Sequence, residues 1–146
     1  MLWDGTLPTM EERKRAGVAL PRRWFVWGRD LGEHRESAGG VGGLVAIIEE
    51  SKRTLLPVDD GAGNIMAVVD GATGKAVAKY NYGPMGEVEP VEGDVDACPF
   101  RYQTRYFDSD SELYYGQGLF YLPRMGRWLG RMVMGKIELN PLLERE

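Results

Sequence analysis

The sequence predicts an all-β protein: about eight or nine short antiparallel strands in a β-hairpin meander, forming an open, twisted sheet. Three observations carry this expectation. Glycine supplies 20 of the 146 residues and proline 8, and the glycine share is about twice the usual ~7%. In helix interiors these residues cost about 1 and 3 kcal/mol each, so the composition suits strands and tight turns. Short aromatic and β-branched runs stop at glycine or aspartate. Between Gly61 and Gly86 the turn signals recur about every ten residues, the spacing of a meander.

The elements follow in order. Residues 10–19 are charged enough for a short exposed helix, stopped by Gly17 and Pro21. Residues 24–27 read as a strand, 39–43 as a flexible glycine bend, and 44–49 and 54–58 as further strands. The turn-former cluster 59–64 leads into a strand over 65–69, then a turn over 70–74. Residues 75–82 place Ala76, Ala78, Tyr80 and Tyr82 on one face. After a turn over 83–86 and a loop over 94–97, residues 100–107 and 113–121 read as aromatic strands joined by 108–112. A turn over 123–126 precedes Arg127-Trp128-Leu129; Pro141 interrupts the remainder. This divides the chain into a poorly defined segment 1–23, a meander over 24–130 and a divergent tail 131–146.

Composition limits the function. The net charge of −4 argues against nucleic acid as a partner. A hydrophobic share of 43% excludes disorder of the whole chain. One cysteine, Cys98, excludes an internal disulfide framework and a multi-cysteine zinc site, and one histidine, His34, excludes most histidine metal sites. The longest apolar run, residues 44–48, is far below the ~20 residues of a membrane span. Residues 1–8 lack the basic flank and apolar stretch of a signal peptide.

Individual residues point to structure more than chemistry. The glycines of 39–43 precede a strand-like run, not the helix a phosphate loop needs. Asp108-x-Asp110-x-Glu112 has the opening rhythm of a calcium loop, but Leu113 and Leu119 stand where glycine and glutamate belong, so a polar hairpin turn is expected. Cys98 has no histidine near it in sequence and no group to lower its pKa. His34, between Glu33 and Arg35, reads as a solvated side chain. Tyr102, Tyr106, Tyr114, Tyr115, Tyr121 and Trp128 are read as cross-strand packing, with a carbohydrate-stacking face as the alternative.

The motif blocks then align with a family. Asp60-Gly61-Ala-Gly63-Asn64, a strand, and Ala78-Lys-Tyr80-Asn-Tyr82-Gly-Pro84-Met-Gly86-Glu87 resemble the Tyr-Asp (YD) repeat of Rhs proteins. Cys98-Pro99-Phe100-Arg101-Tyr102-Gln-Thr-Arg-Tyr106-Phe-Asp108, Leu113-Tyr114-Tyr115, Tyr121-Leu-Pro123 and Gly126-Arg127-Trp128-Leu129 resemble the Rhs repeat-associated core. Trp3-Asp4-Gly5, Val26-Trp27-Gly28 and residues 38–44 look like the segment leading into that core. The resemblance implies a piece of a large shell of β-hairpins, in the polymorphic-toxin class, that encloses a C-terminal toxin domain or presents one at a cell surface. It implies a secreted or cell-surface location for full-length relatives, no cofactor, and the rest of a shell, or the chain itself through open sheet edges, as partner. Segment 1–23 would then be the end of an upstream repeat.

Many family members carry Asp-Pro motifs for aspartyl self-cleavage. Here Gly83 precedes Pro84, Leu122 precedes Pro123, and Arg131-Met132-Val133-Met134-Gly135 replaces Arg-Asp-Pro-Ile-Gly. The cleavage needs a carboxylate pair, so no enzymatic activity is expected, and the chain stops at Glu146 before any toxin domain. Glu112 occupies the place of a family glycine, which costs on the order of 1 kcal/mol if the backbone there is left-handed.

Overall fold

The computed structural model describes residues 1–34, 37–116, 118–133 and 136–139. They form an all-β molecule built on one eight-stranded antiparallel meander. Its strands, in spatial order, are β1 (Leu2–Asp4), β2 (Leu7–Glu11), β5 (Arg23–Trp27), β6 (Leu44–Glu49), β7 (Thr54–Asp59), β8 (Ile65–Asp70), β9 (Ala76–Tyr82) and β10 (Val88–Gly93). A four-stranded sheet follows: β11 (Tyr106–Asp108), β12 (Leu113–Gly116), β13 (Leu119–Leu122) and β14 (Arg127–Trp128). Two hairpins complete it, β3 (Lys14–Arg15) with β4 (Val18–Ala19), and β15 (Gly130–Val133) with β16 (Lys136–Leu139).

One face of the large sheet carries the core. Phe25, Ile47 and Leu55 stand in register across β5, β6 and β7, and Val68 faces Ala78 across β8 and β9. Leu44, Ile65 and Tyr80 fill the same face, and Ala97, Cys98 and Phe100 close over it from the following segment. Period-2 alternation puts Trp24, Val26, Leu56 and Val58 on exposed positions instead.

The two edges of the sheet differ. Strand β10 contains Pro90, carries Glu89 and Glu92, and meets β9 with a register shift between those glutamates. Proline, like charges and bulges are the devices that stop an edge from templating another strand. Strand β1 contains no proline; it is three residues long, ends in Asp4 and meets β2 with a register shift between Leu2 and Trp3, both of which are exposed.

Five expectations need correction. No helix forms over 10–19: residues up to Glu11 belong to β2, and Ala16 (φ 51°) and Gly17 (φ 79°) make the two-residue left-handed turn of the β3–β4 hairpin. Residues 100–107 are not one strand. Phe100 makes a single bridge to Tyr106, and Gln103 and Thr104 adopt positive φ inside a 3-10 turn, Tyr102–Thr104. Residues 113–121 split into β12 and β13, with Gly118 (φ 78°) in the turn between. The strands number sixteen among the described residues, not eight or nine, because short hairpins flank the main sheet. Ala76 is exposed at the start of β9, where the β8–β9 register shifts, while Ala78, Tyr80 and Tyr82 turn inward. Residues 140–146, including Pro141, lie outside the described residues.

The glycine bend at 39–43 is tied down by Asp30. The Asp30 carboxylate accepts from Gly32 N (2.9 Å), Ala38 N (2.6 Å), Gly40 N (3.1 Å) and the Ser37 hydroxyl (3.0 Å). Desolvation pushes its pKa up, but the backbone bonds from Ala38, Gly40 and Gly32 and the Ser37 bond outweigh that and hold it below 3.8. A carboxylate lowered in the folded state stabilises the fold above its ordinary pKa, and the contribution is lost as pH falls through the lowered value. The stability difference between wild type and Asp30→Asn should therefore be largest near neutral pH and shrink below 3.8, measured by urea midpoints; parallel pH profiles would refute this. Glu112 sits at φ 57° with an exposed ion pair to Arg124. Relieving a left-handed non-glycine residue outweighs one exposed pair, so Glu112→Gly should gain about 0.5–1 kcal/mol in the same assay.

Candidate functional site

The residues singled out by their motifs converge on one place: the segment 97–107 and the surfaces it joins. Phe100 lies edge-on to Phe25 (4.8 Å between centroids), Trp27 (5.1 Å) and Tyr106 (5.8 Å). Pro99 O accepts from Phe107 N at 2.7 Å, and Arg101 O accepts from Ile65 N at 3.1 Å, so the segment is bonded to both sheets. The Tyr80 hydroxyl donates to Val95 O (3.1 Å) and accepts from Cys98 N (3.3 Å); the Tyr82 hydroxyl donates to Ile65 O.

The turn Asp60–Asn64 is a dock. The Asp60 carboxylate accepts from Ala62 N, Asn64 N and Asn64 Nδ2, and Asn64 Oδ1 accepts from Gln103 N at 2.9 Å. Gly61 and Gly63 turn the chain with φ near +85°. A Cβ at Gly63 would lie 2.4 Å from Val41 and 3.0 Å from Gly42 N. Thr104 occupies the middle of this dock. Its hydroxyl donates to Gly63 O (2.7 Å) and accepts from Gly42 N (2.8 Å), clipping two loops of the large sheet to the core segment.

The turn holding Pro84 and Gly86 receives the small sheet. A Cβ at Gly86 (φ +90°) would lie 2.5 Å from the Tyr102 ring, which stacks on Tyr121 and leans on Tyr82 and Tyr114. The Tyr114 hydroxyl donates to Gly86 O (2.9 Å) and the Tyr121 hydroxyl to Met85 O (2.7 Å). Trp128 packs on Tyr121 and under the Arg105 guanidinium. Leu113 pairs with Asp108, and Arg127 with Leu122. Pro123 opens a 3-10 turn that Gly126 (φ 61°) closes. Tyr115 lies instead against Trp3 (5.8 Å) and Phe120 (5.2 Å).

Two features escaped the sequence reading. Glu11 and Arg23, 2% and 5% exposed, form a buried ion pair. The Tyr106 hydroxyl donates to Glu11, and Arg23 Nη1 donates to Asp96 O at 2.8 Å. Nothing in the charged run 11–15 distinguishes Glu11 from its solvated neighbours. Thr104 was equally silent, since its role depends on a left-handed backbone (φ 54°).

The polar side chains of this seam are engaged in holding it together. Burial pushes the Cys98 thiol up to about 12, so it is a protonated core residue. Burial also raises the Tyr80, Tyr82 and Tyr114 hydroxyls, and at Tyr106 burial and the bond to Glu11 act together. Asp108 caps its own turn through Asp110 N and the Ser111 hydroxyl. Among the described residues no group of three or more His, Cys, Asp or Glu is placed to hold a metal ion. Thr104→Val should cost about 1–3 kcal/mol, because the isosteric change leaves Gly42 N and Gly63 O without their partner. A denaturation midpoint unchanged from wild type would show that the clip is dispensable.

No family model matches the chain. It is 38% identical over 69 residues to the tRNA nuclease WapA of Bacillus subtilis strain 168, and 36% identical over 69 residues to the tRNA(Glu)-specific nuclease WapA of B. subtilis subsp. natto strain BEST195. Those matches cover 46% of this chain and 3% of the relatives. Among solved structures, a TcdB2-TccC3-TEV crystal structure aligns over 84% of this chain with a TM-score of 0.59 and 19% identity. A Photorhabdus luminescens Tc holotoxin pore aligns over 88% with a TM-score of 0.64 and 17% identity. In both the chain spans 6% of the matched chain. The chain has the all-β fold of a small part of these much larger toxin-complex chains.

Proposed function

We propose that the chain is a non-catalytic wall segment of an Rhs-type β-shell, of the polymorphic-toxin kind, acting with the rest of a shell that encloses or presents a toxin domain outside the cell or at its surface. The observation that carries this reading is the open meander, bordered by the three-residue strand β1, with the motif residues spent on holding sheet to sheet. Its likeness to toxin-complex chains supports it. A wall needs rigid seams rather than a reactive group, and Thr104, Tyr114 and Tyr121 each bond to backbone across a seam. The isolated chain should self-associate through β1, giving concentration-dependent oligomers by light scattering and a broad thermal transition. A clean monomer with sharp, reversible two-state unfolding would contradict the reading.

Self-cleavage is absent on this account. Met132 and Val133, in β15, stand where the family has Asp-Pro. Intact mass should stay at 16.3 kDa after long incubation, from about pH 4 to 7, where a carboxylate pair can share a proton. The Met132→Asp/Val133→Pro double variant should also stay whole, since one restored carboxylate is not a pair; efficient cutting by it would overturn this.

A second reading rests on one observation. Trp3, Tyr115 and Phe120 form a chain of aromatic rings, with Trp3 and Phe120 exposed. Such a face suits carbohydrate stacking, whereas Tyr114 and Tyr121 are withdrawn into the core. Glycan-array binding lost in Trp3→Ala would favour it over the shell reading.

A further inference from the structure

A cavity lies away from those aromatic rings. It has a volume of about 310 Å³ and opens between the β3–β4 hairpin and the turn after β11. Its lining is rich in cations: Arg13, Lys14 and Arg15 from the hairpin side, Arg23 and Arg101 from the floor. Their compensation is incomplete. Glu11 is the carboxylate beside both Arg23 and Arg13, the latter at 3.5 Å. Arg101 is 4% exposed, yet among the described residues no carboxylate lies within ion-pair distance of it. It donates one bond, from Nη2 to Val95 O at 3.0 Å, and is flanked by the rings of Phe107 (4.5 Å) and Tyr80 (5.3 Å). The Nε atoms of Arg101 and Arg13 are buried and have no hydrogen-bond partner. Ring faces attract a guanidinium but cannot accept its in-plane N–H groups. Arg13 keeps Glu11 beside it and is half-buried, so Arg101 is the buried cation left without a carboxylate, a state that favours binding of an anion.

We propose that this cavity binds the carboxylate of an acidic side chain on an extended peptide segment. The inference stands independently of the shell reading. A carboxylate matches the planar fork of a guanidinium. The rim also carries Asp96 and Asp110, exposed, and Asp108, whose oxygens are held by its own turn. That rim disfavours a dianion such as phosphate and suits a neighbouring cation. The fitting ligand is thus a glutamate or aspartate next to a lysine or arginine, with the acid toward Arg13 and Arg101 and the base toward Asp96 and Asp110.

The test titrates the full chain at low ionic strength with three probes: acetyl-Ala-Glu-Lys-Ala-amide, the same peptide with glutamine for glutamate, and inorganic phosphate. The Arg Nε–H signals are followed by NMR. The glutamate peptide should saturate with a Kd of about 1 mM or tighter and move the Arg101 Nε–H signal, while the glutamine peptide does not. Arg13→Gln/Lys14→Gln/Arg15→Gln, confined to the hairpin side, should weaken binding about tenfold while circular dichroism is unchanged. Equal binding of the two peptides, phosphate competing as well as the glutamate peptide, or an unweakened triple variant would each overturn the proposal. Arg101→Lys, if folded, should also lose the peptide; the hairpin variant decides the matter if it does not fold.

Discussion

The seat of Phe100 is the contact on which the rest depends. Its ring meets Phe25, Trp27 and Tyr106 edge-on, and it fills the face that five strands of the meander present. Edge-to-face pairs contribute about 0.5–1.5 kcal/mol each beyond their area, and emptying such a site costs about 3–5 kcal/mol. An uncovered sheet of this size would leave Ile47, Leu55, Ile65 and Val68 facing water. Because Phe100 is placed, Arg101 O can reach Ile65 N and Thr104 can reach both loops. Because those bonds hold, β11 starts in the right place to pair with β12, and the small sheet lands on Met85 and Gly86.

A second cross-link works by charge. Glu11 and Arg23 are neighbours through β2 and β5, but Tyr106 and Asp96 complete their bonding from the far end of the chain. Desolvating such a pair offsets much of its attraction, so its net contribution to stability is small. Removing one partner is another matter, with a cost of about 3–5 kcal/mol, because the other charge stays buried. The network therefore acts more on specificity than on stability. It fixes which surface of the core segment faces the first strands.

Much of the main sheet was legible before any coordinates. Strands β5 to β9 begin and end within about two residues of the sequence reading, because period-2 apolar runs and Gly/Asp turns are local signals. The structure brings Asp60, Tyr80, Gly86, Phe100, Tyr102 and Tyr114 to one seam. What failed was non-local. Charges at 11–15 read as a solvated helix, although Glu11 is buried by residues 12 and 95 positions away. Aromatic content made 100–107 look like one strand, although the backbone of Arg101 and Gln103 is engaged with Ile65, Asn64 and Arg105 rather than a ladder. Strand β10 lacks a local signal because Glu89, Pro90 and Glu92 break its apolar alternation.

That proline has a consequence for growth. With Pro90, Glu89 and Glu92 on one border and only a three-residue strand on the other, the meander is polar in the way a polymer with one capped end is polar. On the shell reading new strands would add beside β1, whereas after β10 the chain continues into the segment that leads to the small sheet. A wall assembled from such a piece would lengthen in a single direction and have a built-in last course.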